Sequence, residues 1–391
     1  MERAGLSRWA QRRPARFTGS VAGGLGVVVA LAAAAAPTPP RETITRPAGD
    51  LFGVSAASPS AAWAVGTTDI NHLPATVLLH WNGRGWTRAA RPMPGTLWSV
   101  SALSAGNAWA VGQYETATTA ETLVLHWNGR SWTRVPSPSP GPVPVADHLG
   151  GVSARSPADV WAVGDFINYG RNPAFKTLVL HWNGTKWAQV ASPNPSRQFD
   201  SLDGVSALSR NDAWAVGVSG KGTNGTQALI LHWNGRTWTQ VASPSPAGSR
   251  LLGVVAVSPN DAWAVGEQVT RSVRKTLVLH WNGTAWALVS SPNPSRSDNR
   301  LAGVSAMSSS DAWAVGVYDN SHARALTLVL HWNGTTWAQV PSPHPAGLLG
   351  SNLVAVSALA PDDAWAAGNV IERGNDQTLV LHWNGARWTR S

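Results

Sequence analysis

Cysteine is absent from this 391-residue sequence, which excludes disulfides, thiolate nucleophiles, Cys-ligated metal sites and a lipid-anchored N-terminal Cys. Lysine is scarce: of 30 basic side chains only Lys176, Lys186, Lys221 and Lys275 are Lys, and the Ala-, Arg- and Trp-rich usage suggests a high-GC bacterial genome. Charged residues make up 13% of the chain and form no run of one sign. The net charge is +9, but residues 1–36 hold five Arg and one Glu, so the remainder has 25 basic and 20 acidic side chains, a net of +5. Such dispersed charge argues against a nucleic-acid partner. No stretch after residue 50 has the periodicity of a long amphipathic helix, which leaves an all-β chain.

What the chain has in excess is Trp, with 23 residues, and repetition. Leu-His-Trp-Asn-Gly, two variable residues and Trp occur seven times, the His falling at 80, 126, 181, 232, 280, 331 and 382. A fixed period near 50 marks a repeat architecture. The β-rich run Thr122–Trp127 followed by Asn128-Gly129 predicts a type I′ hairpin. In that register Trp127 pairs with Arg130, His126 with Ser131 and Leu125 with Trp132, so the two Trp lie diagonally on one face. Upstream of each cassette lies Gly-Val-Ser-Ala, a short turn, then Ala-Trp-Ala-Val-Gly, with copies at Gly53, Ser99, Gly151, Gly204, Gly253, Gly303 and Ala355. The turn reads Ser-Pro-x-Asp at Ser156–Asp159 and Ser258–Asp261, where Pro presets φ and Asp bonds its own backbone.

Each unit is thereby four short strands, a to d, joined as a meander. The expected fold is an all-β, seven-bladed β-propeller with four antiparallel strands per blade, preceded by a signal peptide. The blades run over 51–95, 96–145, 146–198, 199–248, 249–298, 299–347 and 348–391. Three Trp per blade account for 21, leaving Trp9 and Trp98 outside the pattern. Burying one Trp removes ~150–250 Å² from water, about 4–6 kcal/mol gross, so the set suffices to join blade to blade. Trp98 is the better candidate for an exposed aromatic.

Residues 1–36 combine a basic start (Arg3, Arg8, Arg12, Arg13, Arg16) with the apolar stretch Val21–Ala36, the layout of a cleavable secretory signal. The alternative is an uncleaved membrane anchor, for which the stretch is short. Residues 37–50 form a linker. The expected location is secreted or associated with the cell envelope, with membrane contact only during export or through an uncleaved N-terminal segment. Ring closure rests on packing of the last blade against the first, with Thr43-Ile44-Thr45 as an alternative extra strand at that seam.

The a–b and c–d turns share one face of such a ring, and the b–c and d–a connections share the other. The second face carries the variation and all three Tyr, placed by the sequence in b–c loops, and functional chemistry favours loops on a rigid scaffold. Candidate ligand-binding residues are Tyr114, Glu115, Asp165, Tyr169, Arg171, Tyr318, Asp319, His322 and Arg324. The cassette His, one per blade, are spread round the ring rather than converging as metal ligands do, so they are assigned hydrogen-bonding roles. Asn183, Asn282 and Asn333 match a glycosylation signal as a by-product of the turn they build. No catalytic residue, cofactor or metal is expected.

The hairpin Asn82-Gly83-Arg84-Gly85-Trp86 resembles the Asp-box of sialidase-type propellers, although the leading Ser and the Asp are absent. Period and blade number resemble kelch and galactose-oxidase-like propellers, without the double Gly of kelch. Residues 51–391 are most similar to secreted bacterial proteins built from Trp-Ala-Val-Gly and His-Trp-Asn-Gly repeats, a group that carries no activity to transfer. A sialidase-like cluster of three Arg with Tyr, Glu and Asp cannot be located in the sequence, and a copper-radical site would need a Cys. The expectation is a monomeric binding module for a glycan or protein ligand, with no nucleic-acid partner. The alternatives are a polysaccharide hydrolase or lyase, or an architectural envelope module.

Overall fold

The computed structural model describes residues 48–115, 119–141, 147–169, 174–221, 225–320, 324–344, 350–372 and 375–391. They are all β. Twenty-eight strands run from β1 (Asp50–Ser58) to β28 (Trp388–Arg390), and each group of four is an antiparallel meander. In the first unit strand a is Asp50–Ser58, b Ala61–Ile70, c Leu73–Trp81 and d Trp86–Arg88. Five units are separate four-stranded sheets. The third and fourth merge into one eight-stranded sheet through a single parallel bridge, Phe175 to Phe199. The sheets follow one another as the blades of a β-propeller.

Tryptophan clasps adjacent blades. The strand-b Trp of each unit (63, 109, 161, 214, 263, 313, 365) is at most 2% exposed. It stacks on the cassette His of its own unit, as Trp63 does on His80 at 4.4 Å. Its other contacts are the two hairpin Trp of the next unit: Trp63 meets Trp127 and Trp132, each at 4.9 Å. The series ends where it began, with Trp365 of the last unit against Trp81 and Trp86 of the first, at 4.9 and 5.3 Å.

A second belt ties the a strands to each other. The Ser of Gly-Val-Ser-Ala accepts a hydrogen bond from the backbone N–H of the following unit's Ala: Ala102 to Ser55, Ala154 to Ser101, Ala207 to Ser153, Ala256 to Ser206, Ala358 to Ser305 and Ala56 to Ser357, at 3.0–3.1 Å. The remaining step has Val255, which carries no hydroxyl. The bond from Ala56 to Ser357 spans the seam between the first and last units. There Gly49 N–H also donates to Asp376 O at 3.1 Å, the place that the d–a connection fills elsewhere, as when Gly95 donates to Pro74. Thr43-Ile44-Thr45 lie outside the described residues.

Two expectations about turns are corrected. The c–d connection is a four-residue loop, not a two-residue type I′ turn: Trp127 pairs with Trp132, His126 with Thr133 and Leu125 with Arg134. The reason is the Asn side chain. Asn128 Oδ1 accepts from the backbone N–H of Arg130 and of Ser131, both at 3.0 Å, while only Gly129 takes positive φ, at 89°. The two hairpin Trp therefore stand directly opposite one another, in position to grip the preceding blade. Two-residue turns with φ > 0 at both positions do occur, but in b–c connections, at Asn71-His72 and Arg271-Ser272.

The a–b turn differs as well. Its Asp does not bond its own backbone; it pairs with the cassette His across the sheet, as Asp159 Oδ1 does with His181 Nε2 at 2.9 Å. The turn Ser accepts from the backbone instead, as Ser156 Oγ does from Ala158 N–H. The c-strand Trp indole closes the same turn, Trp182 Nε1 donating to Pro157 O at 3.1 Å. The structural hydrogen-bonding role expected for the cassette His holds in six units: five pair with Asp and His126 with Asn107. In the first unit Ala61 replaces the partner, and His80 Nε2 is buried without one.

The clasp and the belt contribute unequally. Trp161→Ala should cost about 3–5 kcal/mol as a cavity in the inter-blade core, and Ser153→Ala about 1 kcal/mol for one hydrogen bond. Urea unfolding of both variants checks the order; a larger loss in Ser153→Ala would reverse it.

Candidate functional site

The innermost strands share a local pattern at the end remote from the a–b turns. Leu51, Leu97, Leu149, Leu202, Leu251, Leu301 and Leu353 are 0% exposed and anchor each a strand in the inter-blade core. The residue before each Leu varies: Asp50, Thr96, His148, Ser201, Arg250, Arg300 and Asn352. So does the residue after it: Phe52, Trp98, Gly150, Asp203, Leu252, Ala302 and Val354. The second set sits at a register shift in the a–b pairing, as between Leu51 and Gly53, which displaces it from the ladder. All seven are half-buried beside their fully buried Leu.

A chain of polar contacts runs along this end from the third unit to the sixth. Asp165 Oδ1 receives Ser201 Oγ from the next unit at 2.8 Å and lies 3.2 Å from His148 Nδ1. Arg250 grips Asp203 of the preceding unit through Nη2 and Nε, at 2.6 and 3.2 Å. Arg274 reaches Asp298 at 2.6 Å and Glu267 at 3.3 Å. Arg300, 6% exposed, lies close enough to Glu267, Arg250, Arg274 and Asp298 for their charges to act on it. Burial lowers its guanidinium to about 10, with the neighbouring Arg250 and Arg274 charges adding to the effect and the carboxylates opposing it. For Arg250 burial acts in the same direction but Asp203 outweighs it, and the group stays firmly charged. Three Arg are thus gathered with Glu and Asp, which sequence reasoning missed: 250, 274 and 300 have no motif spacing and meet only because adjacent blades bring their ends together.

The predicted residues fall in several places. Asp165 belongs to this chain of contacts. Asp319 adjoins it, its carboxyl raised by burial and by Asp298, its N–H donating to Asp298 O. Tyr114, Glu115, Tyr318 and Asp319 lie in b strands rather than in loops, a correction to the sequence reading. Tyr114 packs against the inter-blade core with the Arg134 guanidinium 4.4 Å over its ring. Gln113 Nε2 donates to Glu115 Oε1. Tyr318 packs on the core between the fifth and sixth units, edge-on to His344. Tyr169 is exposed at 49%. Arg324 closes a b–c connection through its backbone N–H, which donates to Asn320 Oδ1. Arg171 and His322 lie outside the described residues. Trp98, expected to be an exposed aromatic, is half-buried and stacked on Phe52 with ring centroids 4.4 Å apart.

The d–a connections vary in length, from 7 residues at 89–95 to 13 at 135–147, as expected, but share a docking pattern. Five of the six carry Ser-Pro-x-Pro, the first reading Arg91-Pro92-Met93-Pro94, and all but the fourth, where Ala228 stands, dock on strand c through a Thr hydroxyl, as Thr122 Oγ1 bonds Ser137 Oγ at 2.8 Å and Thr177 bonds Ser192 at 2.7 Å. A fully buried Asp or Asn closes three of these loops: Asp147 accepts from Gly141 N–H, Asp200 from Ser196 N–H, Asn299 from Ser295 N–H. Variation on this face lies in the lengths of the b–c and d–a connections and in the residues at the inner-strand ends. A cavity of about 380 Å³ beside Thr270, Arg271 and Ser272 lies at one of these b–c turns.

Chemically the cluster is a hydrogen-bonding surface. Ser201 and His148 both address the same oxygen of Asp165, so the serine hydroxyl is not bonded to the imidazole as a nucleophile–base pair requires. Asp50, at the seam, is held at about 7 by burial and by Asp376, against a hydrogen bond from Asn369. Its folded-state value lies above the unfolded 3.8, so its stabilising effect is present below that value and is lost as pH rises through about 7. Asp50→Asn should therefore raise the unfolding free energy in urea at pH 8, by up to a few kcal/mol, and leave it nearly unchanged at pH 4. Equal effects at both pH values would contradict this account. His80 and His126 act oppositely: burial lowers both below the usual imidazole value, so stability falls with pH below about 6.5.

No family model matches the chain, and no curated protein matches it. Solved structures do. YCF48 bound to a D1 peptide shares 15% identity, with a TM-score of 0.51 over 87% of this chain and 94% of that one. A PL25 polysaccharide lyase, ulvan lyase bound to -[GlcA(1-4)Rha3S]-, shares 10%, with a TM-score of 0.56 over 88% and 96%. The GH74 xyloglucanase from Xanthomonas campestris shares 15%, with a TM-score of 0.56 over 89% of this chain and 55% of that one. Likeness at such identities is likeness of fold, and the fold is the β-propeller.

Proposed function

We propose that this chain is an exported bacterial propeller of seven blades that binds a glycan or protein ligand on the b–c face and has no catalytic activity of its own. One observation carries the reading. At the turn end every unit repeats the same Trp–His ring contact and all but one the Ser bond, whereas at the b–c end the buried and half-buried positions flanking each inner Leu hold different chemistry in almost every unit. Scaffold positions repeat because each blade must meet the next; positions freed from that duty are where a ligand can be selected. Among solved propellers of this shape one carries a peptide and two are named for polysaccharide chemistry. That range supports a shared scaffold without deciding the ligand. The seven-bladed count is supported by the seven Trp clasps and by the contacts of the last unit with the first. Export rests on the basic and apolar segment within residues 1–36, and sequencing the N-terminus of the mature protein tests it.

A glycan array and a polysaccharide-turnover screen with the exported chain test the function. Binding without turnover is expected. It should survive Arg84→Glu, Arg130→Glu and Arg236→Glu in the c–d loops and weaken severalfold in Tyr169→Ala or Asp319→Ala. Loss through the c–d changes alone would move the ligand to the other face. Turnover that depends on the b–c face would establish an enzyme instead.

A further inference from the structure

The turn end and the outer strands carry charge unevenly round the ring. In three units two Arg flank the strand-d Trp: Arg84 and Arg88 at Trp86, Arg130 and Arg134 at Trp132, Arg387 and Arg390 at Trp388. These are the first, second and last units, and the clasp makes them neighbours. Trp365 meets Trp81 and Trp86, and Trp63 meets Trp127 and Trp132. Ring closure thus gathers into one sector six Arg drawn from opposite ends of the chain, which their order in the sequence hides. Where strand d ends in Arg in this sector, the other four units have Gln189, Gln240, Leu288 and Gln339.

Counter-charge is sparse in the same sector. The Asp that meets the cassette His in the third to seventh units is replaced by Ala61 in the first and Asn107 in the second. Over the a–b turns, c–d loops and d strands, with the adjoining strand ends, six Arg stand against Asp362 and Asp363, an excess of four. The other four units set Arg155, Lys186, Arg210 and Arg236 against Asp159, Asp212, Asp261 and Asp311, and balance. Arg84, Arg88, Arg130 and Arg387 are exposed, and among the described residues none of the four is in an ion pair. The two kinds of turn form one surface: a Cβ on Gly83 would lie 3.2 Å from Ser60, and one on Gly385 2.8 Å from Asp362. At the b–c end the first two of these units carry Asp69 and Glu115.

The spread of these cations selects the partner. They sit on separate outer hairpins across three blades, so a small anion meets one guanidinium at a time, whereas an extended anionic surface meets all of them. Guanidinium is suited to phosphate through its fork of N–H donors. Each basic side chain close to an anionic lipid surface adds roughly a fivefold factor to binding. The export proposed above brings the chain past such a surface.

We propose that the sector formed by the last, first and second units docks the ring on anionic phospholipid headgroups of the membrane it crosses, with the b–c end turned away. This goes beyond the reading of the b–c face as the ligand face and draws on it only for export.

Cosedimentation of the exported chain with vesicles of phosphatidylcholine alone, and of an equal mixture with phosphatidylglycerol, tests it. The chain should bind the mixed vesicles only, and less as salt rises, because exposed charges are screened. Arg84→Gln with Arg130→Gln should lower binding roughly tenfold or more. Lys186→Gln with Arg236→Gln, which removes as much charge from the balanced units, should change it by less than about twofold. Unfolding midpoints of both double variants show that the fold is kept. Equal losses in the two double variants would overturn the sector, and equal binding to both kinds of vesicle would overturn its dependence on charge. Capture of DNA or of soluble poly(glycerol phosphate) without binding to vesicles would overturn the lipid assignment. A chain that binds a glycan or protein through the b–c face but no anionic vesicle loses the docking sector and keeps the ligand face; vesicle binding without any such ligand does the reverse.

Discussion

The structure depends on one contact made seven times: a strand-b Trp held between the two hairpin Trp of the next unit. A four-stranded sheet of this length cannot bury two apolar faces alone, so each unit is stable only against its neighbours. The Trp clasp supplies large apolar area where adjacent blades have diverged from the axis and need bulk to stay in contact. Near the axis the same blades are close enough for a Ser hydroxyl to reach the neighbouring backbone. Wide side chains outside and short ones inside follow from the wedge-shaped gap between blades.

The cassette residues serve this contact even where they look functional. The c–d Asn ties its loop so that the two Trp stand opposite each other, and the His presses on the strand-b Trp while its far nitrogen meets the Asp at the start of strand b. Asp159 shows the electrostatics of the arrangement: burial raises its carboxyl, and His181 and Arg155 outweigh that and hold it below the usual range. A His repeated seven times, and paired with Asp in five units, is here a packing device.

Much of this was legible in the chain because the repeat imposes it. Strand order, the pairing of b with c and the burial of Trp follow from alternation and period, which local sequence carries. The turn length did not follow, because Asn-Gly serves two loop geometries and the choice between them is made by what Trp127 and Trp132 must grip. The Ser belt was hidden since a Ser within Gly-Val-Ser-Ala has no local signature; its partner lies some 50 residues away. The same holds for Arg250, Arg274 and Arg300. Their neighbours Asp203, Glu267 and Asp298 belong partly to other units, and only the lateral stacking of blades sets them together. Of the residues placed in loops from sequence, Asp165, Asp319, Tyr114 and Tyr318 all proved to lie in b strands; the two Asp join this network and the two Tyr rest their rings on the core.

The ion pairs at the b–c end add little to stability in themselves, because taking two charges from water nearly cancels their attraction. Their value lies in geometry. Arg250 and Asp203 lock two inner strands through a planar, bidentate contact that tolerates little displacement. The interface between the fifth and sixth units lacks its belt hydrogen bond, since Val255 stands where the others have Ser. There Asp298 holds Arg274 on its carboxylate and accepts from Asp319 N–H of the sixth unit on its carbonyl, while Arg300 lies beside Glu267. This end of the ring is held by directional charge contacts on one side and by the stacked Phe52 and Trp98 rings on the other. That is how a ring assembled from near-identical blades comes to have one end whose surface differs from unit to unit while its geometry stays fixed.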